Sequence, residues 1–429
     1  MTVGGPPTGP TTLDRLGEPD ARAVEAPPVG LYVHVPFCVS VCPYCDFVVV
    51  AGSESRGPRA RIAPFVAAIL QELELRADAL DGRWGRPGTT VRPPLASVYL
   101  GGGTPSLLPA PTIGAILERI SRRYGLTADA EITIEANPGP DELGDTRAFV
   151  PAGVTRLSIG AQSFVDRELR TLGRRHRATD IAAAVAAARD ANVRSISLDL
   201  LYDVPDQTPA SWRTTLDAAL ALEPDHLSLY ALSLDDPDAD GLTGPTGDHL
   251  PVRPGVRRWR DRARPRQDED RAADAYAVAS TALAAAGYDG YELSNWARPG
   301  HASRHNLGYW ERRPIEAVGP GAHAFDGLTR RWNAARLDAY LAALLPSAGP
   351  PRLPPGGSET PDGRAVIAER MILGLRLGRG LPTAWLDWAP LDAVGPWAVD
   401  RGLAEVVEGR LRLTTRGRLL SNEVFSRLV

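Results

Sequence analysis

Three cysteines stand close together near the start of the chain, and its 429 residues contain no others. Cys38, Cys42 and Cys45 have the spacing C-x3-C-x2-C within HVPFCVSVCPYCDF, directly after the apolar run 31–35. An apolar run of this length predicts a short buried strand. Three thiolates on one loop at a strand end can bind a metal centre and leave one coordination position open. This loop is therefore the candidate reaction centre.

Three kinds of site can be weighed for such a group of cysteines. A structural zinc site requires four ligands, usually in two separated pairs, so its fourth ligand would be a distant histidine. Buried thiols that bind nothing have no reason to cluster in one loop. An iron–sulfur cluster held by three thiolates, with one iron exposed, fits the spacing best.

The composition limits the classes of protein that come into question. The apolar fraction of 43% and the charged fraction of 23% are those of a folded soluble protein. A net charge of −4 gives no reason to expect nucleic-acid binding. No apolar run approaches the ~20 residues of a membrane span, and the N-terminus lacks a signal-peptide layout, so we expect a cytoplasmic protein. All 48 basic residues are arginine, which excludes lysine Schiff bases, pyridoxal-phosphate anchoring and a P-loop lysine.

Short apolar runs alternate with longer Ala/Leu/Arg segments from residue 31 onwards. The alternation predicts six strands, at 31–35, 97–100, 131–135, 155–159, 195–200 and 226–230. It predicts helices between them, at 61–80, 111–123, 166–172 with 178–190, and 209–221. Strands that alternate with helices pair in parallel through right-handed crossovers. Either an open doubly wound sheet or a barrel would satisfy this pattern.

Polar or Gly-rich residues follow all six predicted strands, which favours a barrel mouth over the single switch point of an open sheet. We expect an α/β fold with a partial (β/α)6 barrel and a small C-terminal winged-helix-like α+β domain. The expected segments are a disordered extension (1–28), the barrel (29–290) with an irregular surface loop (235–268), a barrel extension (291–343), a Pro/Gly linker (344–363) and the C-terminal domain (364–429). Residues 288–293 are a further strand candidate.

Several residues at the strand ends could bind a ligand. The glycines of 101–104 are typical of an ordinary turn, but they also let a backbone come close to a ligand's amino group. Glu135 and Asp199 could cap helices or pair with arginine, or they could accept hydrogen bonds from ribose hydroxyls. Gln162 can donate and accept, and Arg174 can bind a carboxylate with two parallel hydrogen bonds.

The C-x3-C-x2-C loop after a first strand, with Tyr44 before the third cysteine, resembles the signature of the radical S-adenosylmethionine (SAM) superfamily. That resemblance implies a 4Fe-4S cluster whose open iron chelates the amino and carboxylate groups of SAM. A closer resemblance extends over 30–335 and the tail, to the family of oxygen-independent coproporphyrinogen oxidase and its heme chaperone relatives. It is found in LYVHVPFCVSVCPYCDF, VYLGGGTPSLL, ITIEANPGP, GVTRLSIGAQSF, SLDLLYDVPDQT, HLSLYAL, YELSNWARPG, RHNLGYW and LTTRGRLLSNEVFSRL. The residues that it assigns to SAM are Tyr32, Tyr44, Gly102, Gly103, Thr104, Glu135, Gln162, Arg174, Asp199 and Ala231.

Two features distinguish the branches of this family. The oxidase branch has a fourth cysteine two residues after the third, where this chain has Phe47, as the chaperone branch does. The motif HNxxYW, associated with heme binding in the chaperones, is present as His305, Asn306, Tyr309 and Trp310. By its residue types alone this motif would be a core histidine among aromatics, and the resemblance favours heme ligation instead.

The resemblance therefore implies a chaperone that binds the cluster, SAM and heme and delivers heme to acceptor hemoproteins, including respiratory, membrane-associated ones. An electron donor is implied, and a homodimer is left open. The alternatives are a coproporphyrinogen oxidase and a zinc-stabilised scaffold without enzymatic activity. His323 is a second, weaker heme candidate, and Arg304, Arg312 and Arg313 could neutralise heme propionates. Asp203 and Val204 depart from the family's Gly-Leu, which predicts a strained or reshaped turn there.

Overall fold

The six predicted strands and the helices between them are present in a computed structural model, which describes residues 24–51, 58–234 and 254–429. The strands are β1 (Gly30–Val35), β2 (Leu95–Gly102), β3 (Leu126–Ala136), β4 (Arg156–Gln162), β5 (Ser195–Tyr202) and β6 (His226–Ala231). The helices are α1 (Pro58–Trp84), α2 (Ala110–Tyr124), α3 (Thr146–Phe149), α4 (Asp166–Thr171), α5 (Ala178–Asp190) and α6 (Pro209–Ala221). Strands β1 to β6 pair in parallel and in sequence order.

The second half of the barrel region adds strands to both edges of this sheet. The next elements are α7 (Pro254–Ala263), α8 (Glu269–Ala285), β7 (Asp289–Gly290), β8 (Asn295–Ala297), α9 (Arg304–Trp310), β9 (Ile315–Val318), β10 (His323–Phe325), β11 (Arg330–Asn333), α10 (Leu337–Leu344) and β12 (Gly356–Glu359). Strand β9 pairs in parallel with β1, and β8 pairs antiparallel with β6. The strand order among the described residues is linear from β12 to β7, as the prediction of a partial barrel requires.

The two faces of the parallel strands differ in polarity, and this difference creates the site. Outward side chains such as Leu31, Val98 and Ile134 are fully or almost fully buried beneath the helices. Inward positions carry polar groups instead, including Tyr99, Ser158 and Asp199. Parallel strands buried on both faces are usually apolar throughout. A polar interior therefore indicates a barrel that holds a ligand.

A smaller unit with its own apolar cluster ends the chain. It contains α11 (Gly363–Arg376), β13 (Leu381–Pro382), α12 (Leu391–Asp400), β14 (Ala404–Val407), β15 (Arg410–Leu413), α13 (Thr415–Leu419) and α14 (Ser421–Phe425). The three strands form an antiparallel sheet in the order β13-β15-β14. Trp385 and Met371 are fully buried in its core. This arrangement agrees with the predicted small C-terminal α+β domain.

Four details of the predicted segments require correction. The predicted surface loop contains helix α7 and a 3-10 turn at Arg264–Arg266, whereas 235–253 lie outside the described residues. The Pro/Gly stretch 344–363 contains edge strand β12, because its two glycines let the backbone pass against Trp332. The strand candidate at 288–293 is reduced to Asp289–Gly290. Residues 1–23 of the extension are not described, but Ala26 N–H donates to the Asp326 carbonyl (2.8 Å).

None of the helices in the described ranges is both long and apolar enough to span a membrane.

Candidate functional site

The cysteine loop is closed at its neck by backbone hydrogen bonds. The Cys38 N–H donates to the Val50 carbonyl (3.2 Å), and the Val50 N–H donates to the Pro36 carbonyl (2.6 Å). His34, almost fully buried at the end of β1, bonds through Nε2 to the Val48 carbonyl (2.7 Å). All three cysteines line one cavity and are partly exposed to it. The sequence between them thus forms a short, anchored loop that presents three thiols to the barrel.

The surroundings of the thiols suit a metal cluster. Thr104 Oγ1 donates to Cys38 Sγ (3.6 Å), and Arg174 Nη1 donates to Cys42 Sγ (3.5 Å). Burial raises the pKa of Cys38 to about 12 and that of Cys45 to about 11, so these thiols need a nearby metal cation to ionise. Within the described ranges, no three His, Cys, Asp or Glu side chains gather closely enough for a single metal ion. Three thiols on one loop can each ligate a separate iron of an iron–sulfur cluster.

The Gly-rich turn after β2 packs directly under the cysteine loop. Gly102 has φ of +108°, and a side chain there would collide with the His34 ring. A Cβ on Gly103 would lie 2.6 Å from the Phe37 carbonyl oxygen. The Thr104 N–H donates to that same oxygen (2.7 Å). Glycine is required here because two backbone segments meet without room for a side chain.

Two half-buried carboxylates line the cavity, one on β3 and one on β5. Glu135 accepts from the Tyr99 hydroxyl (2.7 Å) and the Gly102 N–H (2.9 Å). Burial raises the pKa of Glu135 to about 7. Asp199 accepts from the Ser158 hydroxyl (3.1 Å), and burial raises its pKa as well. Neither carboxylate caps a helix or forms an ion pair within the described residues, so both are available to ligand hydroxyls.

Arg174 connects the cluster side of the cavity to β4. Its Nη2 donates to Asn137 Oδ1 and to the Gly160 carbonyl (3.0 Å). Its Nε is buried and has no hydrogen-bond partner. Gln162 lies at an irregularity in the β4–β5 register and has φ of +66°. Its side chain lines the cavity. A buried donor without a partner is costly, so a ligand carboxylate at this position fits the residues present.

The cavity has a volume of about 400 Å³, within the usual range for a small-molecule site. It is lined by the three cysteines and by eight of the ten residues assigned to SAM. Tyr32 lies behind this wall, where its hydroxyl bonds His34 Nδ1 (3.0 Å), and Ala231 is exposed at the end of β6. The sequence reasoning missed Tyr99, Asn137, Arg156, Ser158 and Tyr230, which also line the cavity. Polar residues at alternate positions of otherwise apolar strands were the signal that could have found them.

Replacement of Glu135 by Gln is expected to weaken SAM binding about tenfold, because it replaces a charged acceptor of ribose hydroxyls by a neutral one. In the wild type, SAM affinity should fall as the pH drops through about 7, since protonation removes that charge. The stability of the ligand-free protein should change in the opposite direction and increase as the pH drops. The pKa of Glu135 is higher in the folded protein than in the unfolded chain, so the folded protein loses stability as the pH increases from the unfolded pKa to about 7. The Gln variant has no carboxyl and should not show this loss of stability.

Calorimetric SAM titrations and thermal unfolding between pH 6 and 8 check both effects, with Asp129→Asn as the control on an exposed carboxylate. A SAM affinity that is independent of pH in the wild type would contradict the role of Glu135.

Helix α7 lies against the outer side of the cysteine loop. Arg260 Nε donates to the Pro43 carbonyl (3.3 Å), and the same guanidinium pairs with the Asp46 carboxylate. Trp259 Nε1 donates to the Thr171 carbonyl (3.0 Å), and its ring belongs to an apolar cluster that includes Tyr44. The helix therefore connects the loop to the segment that precedes Arg174. The partners of α7 are distant in sequence, so the local composition of 235–268 did not predict this helix.

Arg260→Gln should accelerate loss of the cluster to a chelator about fivefold, because the half-exposed ion pair restrains opening of the loop. Arg260→Lys should restore part of the protection, and Arg258→Gln, on the exposed face of the same helix, should have no effect. The decay of cluster absorbance after addition of a chelator measures this. Equal decay rates in wild type and Arg260→Gln would show that α7 does not restrain the loop.

The departure from the family pattern at 203–204 is accommodated locally. Asp203 has φ of +56°, the left-handed conformation in which glycine is favoured. Its carboxylate pairs with Arg271 (2.5 Å) and accepts from the Asp268 N–H (3.2 Å) at the start of α8. Val204 is fully buried in the apolar cluster that includes Tyr44. The turn is thus left-handed as predicted for a strained position, and the ion pair offsets its cost.

Helix α9, which carries the HNxxYW motif, lies at the opposite end of the barrel from the cysteines. His305 is 1% exposed, and its ring nitrogens bond Ser97 Oγ (3.0 Å) and Tyr309 Oη (3.1 Å). Burial lowers the pKa of His305 to about 3, so its imidazole is neutral. Asn306 lines the cavity, whereas Trp310 packs against the apolar cluster of the C-terminal unit. The guanidinium carbon of Arg376 lies 4.1 Å from the centre of the Trp310 ring. The arrangement is that of a buried histidine among aromatics, and heme ligation by His305 would require α9 to move.

The other predicted heme contacts are dispersed. His323 is exposed on β10 and stacks on Trp332, with ring centres 5.8 Å apart. The three arginines near the motif have acidic partners: Arg304 with Asp129, Arg312 with Glu369 and Arg313 with Glu311. Phe47, at the cavity mouth, is 68% exposed.

Comparisons with known proteins agree with this architecture. The Radical SAM superfamily model matches residues 32–219. The chain is 36% identical over 416 residues to heme chaperone HemW of Mycobacterium tuberculosis, covering 96% of this chain and 97% of that protein. It is 35% identical to heme chaperone HemW of Escherichia coli over 70% of this chain and 71% of that protein.

Among solved structures, coproporphyrinogen III oxidase (HemN) from Escherichia coli, a radical SAM enzyme, superposes with a TM-score of 0.73. The superposition has 22% identity over 95% of this chain and 91% of that one, a likeness of fold alone. The 36% identity to the Mycobacterium tuberculosis chaperone over nearly the whole length establishes the family. The chain belongs to the HemW heme chaperone family of the radical SAM superfamily.

Proposed function

We propose that this chain is a radical SAM-type heme chaperone, which binds a 4Fe-4S cluster, SAM and heme and delivers the heme to acceptor hemoproteins. One observation carries the proposal: three thiols face a polar, ligand-sized cavity in a chain whose full-length relatives are heme chaperones. We place its action in the cytoplasm, with an electron donor and hemoproteins, including membrane-associated respiratory ones, as partners.

The residues of the cavity would divide the binding of cluster and cofactor between them. Cys38, Cys42 and Cys45 would hold the cluster, which would supply an open iron for the amino and carboxylate groups of SAM and an electron for its sulfonium. Glu135 and Asp199 would accept hydrogen bonds from the ribose hydroxyls. The unpartnered Nε of Arg174 would donate to the SAM carboxylate, and the Thr104 hydroxyl would orient the Cys38 sulfur.

Heme binding is assigned to His305, with Asn306, Tyr309 and Trp310 around it. The imidazole is neutral, so its lone pair can ligate iron without a competing proton. Its two partners are hydroxyl groups, which can exchange their hydrogen bonds when α9 moves. Tyr309 is already 38% exposed, which marks the side from which heme would approach.

Heme titration of the anaerobically reconstituted protein tests this assignment. His305→Ala should bind heme at least about tenfold more weakly than wild type, the loss expected for an axial ligand. His323→Ala serves as the matched control, because it removes the exposed histidine, and should bind like wild type. Because His305 is buried, the association rate should reach a plateau with increasing heme, and Tyr309→Phe should raise that plateau. Equal affinity of wild type and His305→Ala would remove His305 from the heme site.

The oxidase alternative would have the same cluster and SAM act on coproporphyrinogen. Phe47 occupies the place of the fourth cysteine of that branch and is exposed at the cavity mouth. Assay of decarboxylated product from coproporphyrinogen, under reducing and oxygen-free conditions, distinguishes the two activities. We expect no product.

A further inference from the structure

The inner end of the cavity contains a buried cation that neither the cluster nor the proposed SAM contacts use. Arg156, at the start of β4, lines the cavity and is 3% exposed. It precedes Ser158 by two residues, so both side chains point into the barrel and Arg156 is the farther from the strand ends. Ser303 and Asn306, at the beginning of α9, line the same cavity.

The hydrogen bonds of Arg156 go to neutral groups, and the charge of the Asp199 carboxylate acts on it without a direct bond. Its Nη1 donates to Ser195 Oγ (2.9 Å) and to the His301 carbonyl (2.9 Å), which are both neutral acceptors. Across the described residues, Arg156 forms no ion pair with a carboxylate. Asp199, the carboxylate that shares the cavity, accepts from Ser158 instead. A buried guanidinium whose hydrogen bonds all go to neutral acceptors is unfavourable, so one that lines a cavity suits an anionic ligand.

The neighbouring groups restrict the kind of anion. His226 bonds Ser197 Oγ through Nδ1 (2.8 Å) and Tyr291 Oη through Nε2 (2.9 Å). Burial and the nearby Arg156 hold the pKa of His226 well below its usual value, so it adds no second positive charge. One guanidinium with an amide neighbour, beside a Ser303 hydroxyl that donates to Glu131 (3.4 Å), suits an anion of no more than one charge, such as a planar carboxylate. A phosphate carries more charge and would require more cations than Arg156 alone provides at this end of the cavity.

We propose that Arg156, together with Ser303 and Asn306, is a carboxylate-binding subsite for a second ligand in the barrel, beyond the place of SAM. This inference rests on the proposed function in one respect, which is that it takes the carboxylate to be a propionate of the tetrapyrrole. Ser303 and Asn306 lie in the same helical turn as His305. A movement of α9 that exposes His305 would therefore also open the end of the cavity around Arg156.

Metal-free porphyrins test the subsite without the iron–histidine bond. Protoporphyrin IX and its dimethyl ester share one ring, but only the acid carries carboxylates. With the cluster-loaded, SAM-bound protein, the acid should bind about tenfold or more tightly than the ester, as measured by porphyrin fluorescence. Arg156→Gln should reduce this ratio to about one, and Arg156→Lys should retain part of it because the charge remains.

Arg304→Gln is the matched control, because Arg304 is an exposed arginine at the same end of α9 that already pairs with Asp129. It should keep the preference for the acid. Equal binding of acid and ester by the wild type would overturn the subsite while leaving heme ligation by His305 intact, and this comparison needs no variant to fold. A preference that persists in Arg156→Gln, or disappears in Arg304→Gln, would also overturn it. Failure of both porphyrins to bind would overturn the subsite and tetrapyrrole binding together.

Discussion

Replacement of any one of Cys38, Cys42 and Cys45 by alanine is expected to leave the reconstituted protein with almost no 4Fe-4S cluster. The three are the chain's only cysteines, so two thiolates would remain for a cluster that needs three protein ligands. Iron and sulfide per chain, together with the cluster absorbance, measure the effect.

Ser40→Ala is the control for this series, since Ser40 lies in the same loop and lines the same cavity without a thiol. It should retain the full cluster. A single alanine variant with wild-type iron content would contradict the assignment of that cysteine as a ligand. Stoichiometric zinc in place of iron in the wild type would instead support the scaffold alternative.

Gly103→Ala is expected to destabilise the protein by about 1–3 kcal/mol and to abolish measurable SAM binding. The added Cβ would lie 2.6 Å from the Phe37 oxygen, 2.9 Å from the Pro36 carbonyl carbon and 2.9 Å from the Val35 oxygen. All three are backbone atoms of the segment that enters the cysteine loop, so no side-chain rotation can relieve the collision. The Gly-rich turn must then move away from the loop and take Thr104 with it.

Thermal unfolding and anaerobic SAM titration measure the two effects separately. Gly82→Ala is the matched control, because no atom lies within 4 Å of the added Cβ, in a helix where alanine is favoured over glycine. It should leave SAM binding unchanged and the stability equal or higher. Unaltered SAM affinity in Gly103→Ala would show that the close approach of the two segments is unnecessary for the site.

The parallel sheet could be predicted from the sequence because its strands repeat a local pattern. Each apolar run of β1 to β6 is followed by Gly or polar residues and then by a helix, and each step needs only neighbouring residues. The cysteine loop could be identified for the same reason, since Cys38, Cys42 and Cys45 are close in sequence. The structure places the three cysteines around one cavity with Gly103 and Glu135. Gly103 follows β2, which is adjacent to β1, and Glu135 lies on β3, one strand further.

Elements that depend on distant partners could not be predicted in this way. Helix α7 is rich in Arg and follows a Pro/Gly-rich stretch of the sequence. The roles of Trp259 and Arg260 are explained only by their contacts with Thr171, Pro43 and Asp46. Strand β12 was concealed in a Pro/Gly stretch because its glycines serve a close backbone approach. The burial of His305 depends on contacts such as that with Ser97, 208 positions away, which no local motif reveals.

Transfer of heme from the loaded protein to an acceptor is the measurement that tests the central claim most directly. Cluster-loaded protein with SAM and heme is mixed without oxygen with an apo-hemoprotein, and the acceptor's heme absorbance is followed with time. A heme chaperone should load the acceptor, and His305→Ala, charged with the same heme concentration, should load it more slowly and to a lower extent. No transfer by the wild type, combined with decarboxylation of coproporphyrinogen by the same preparation, would contradict the proposal and identify an oxidase.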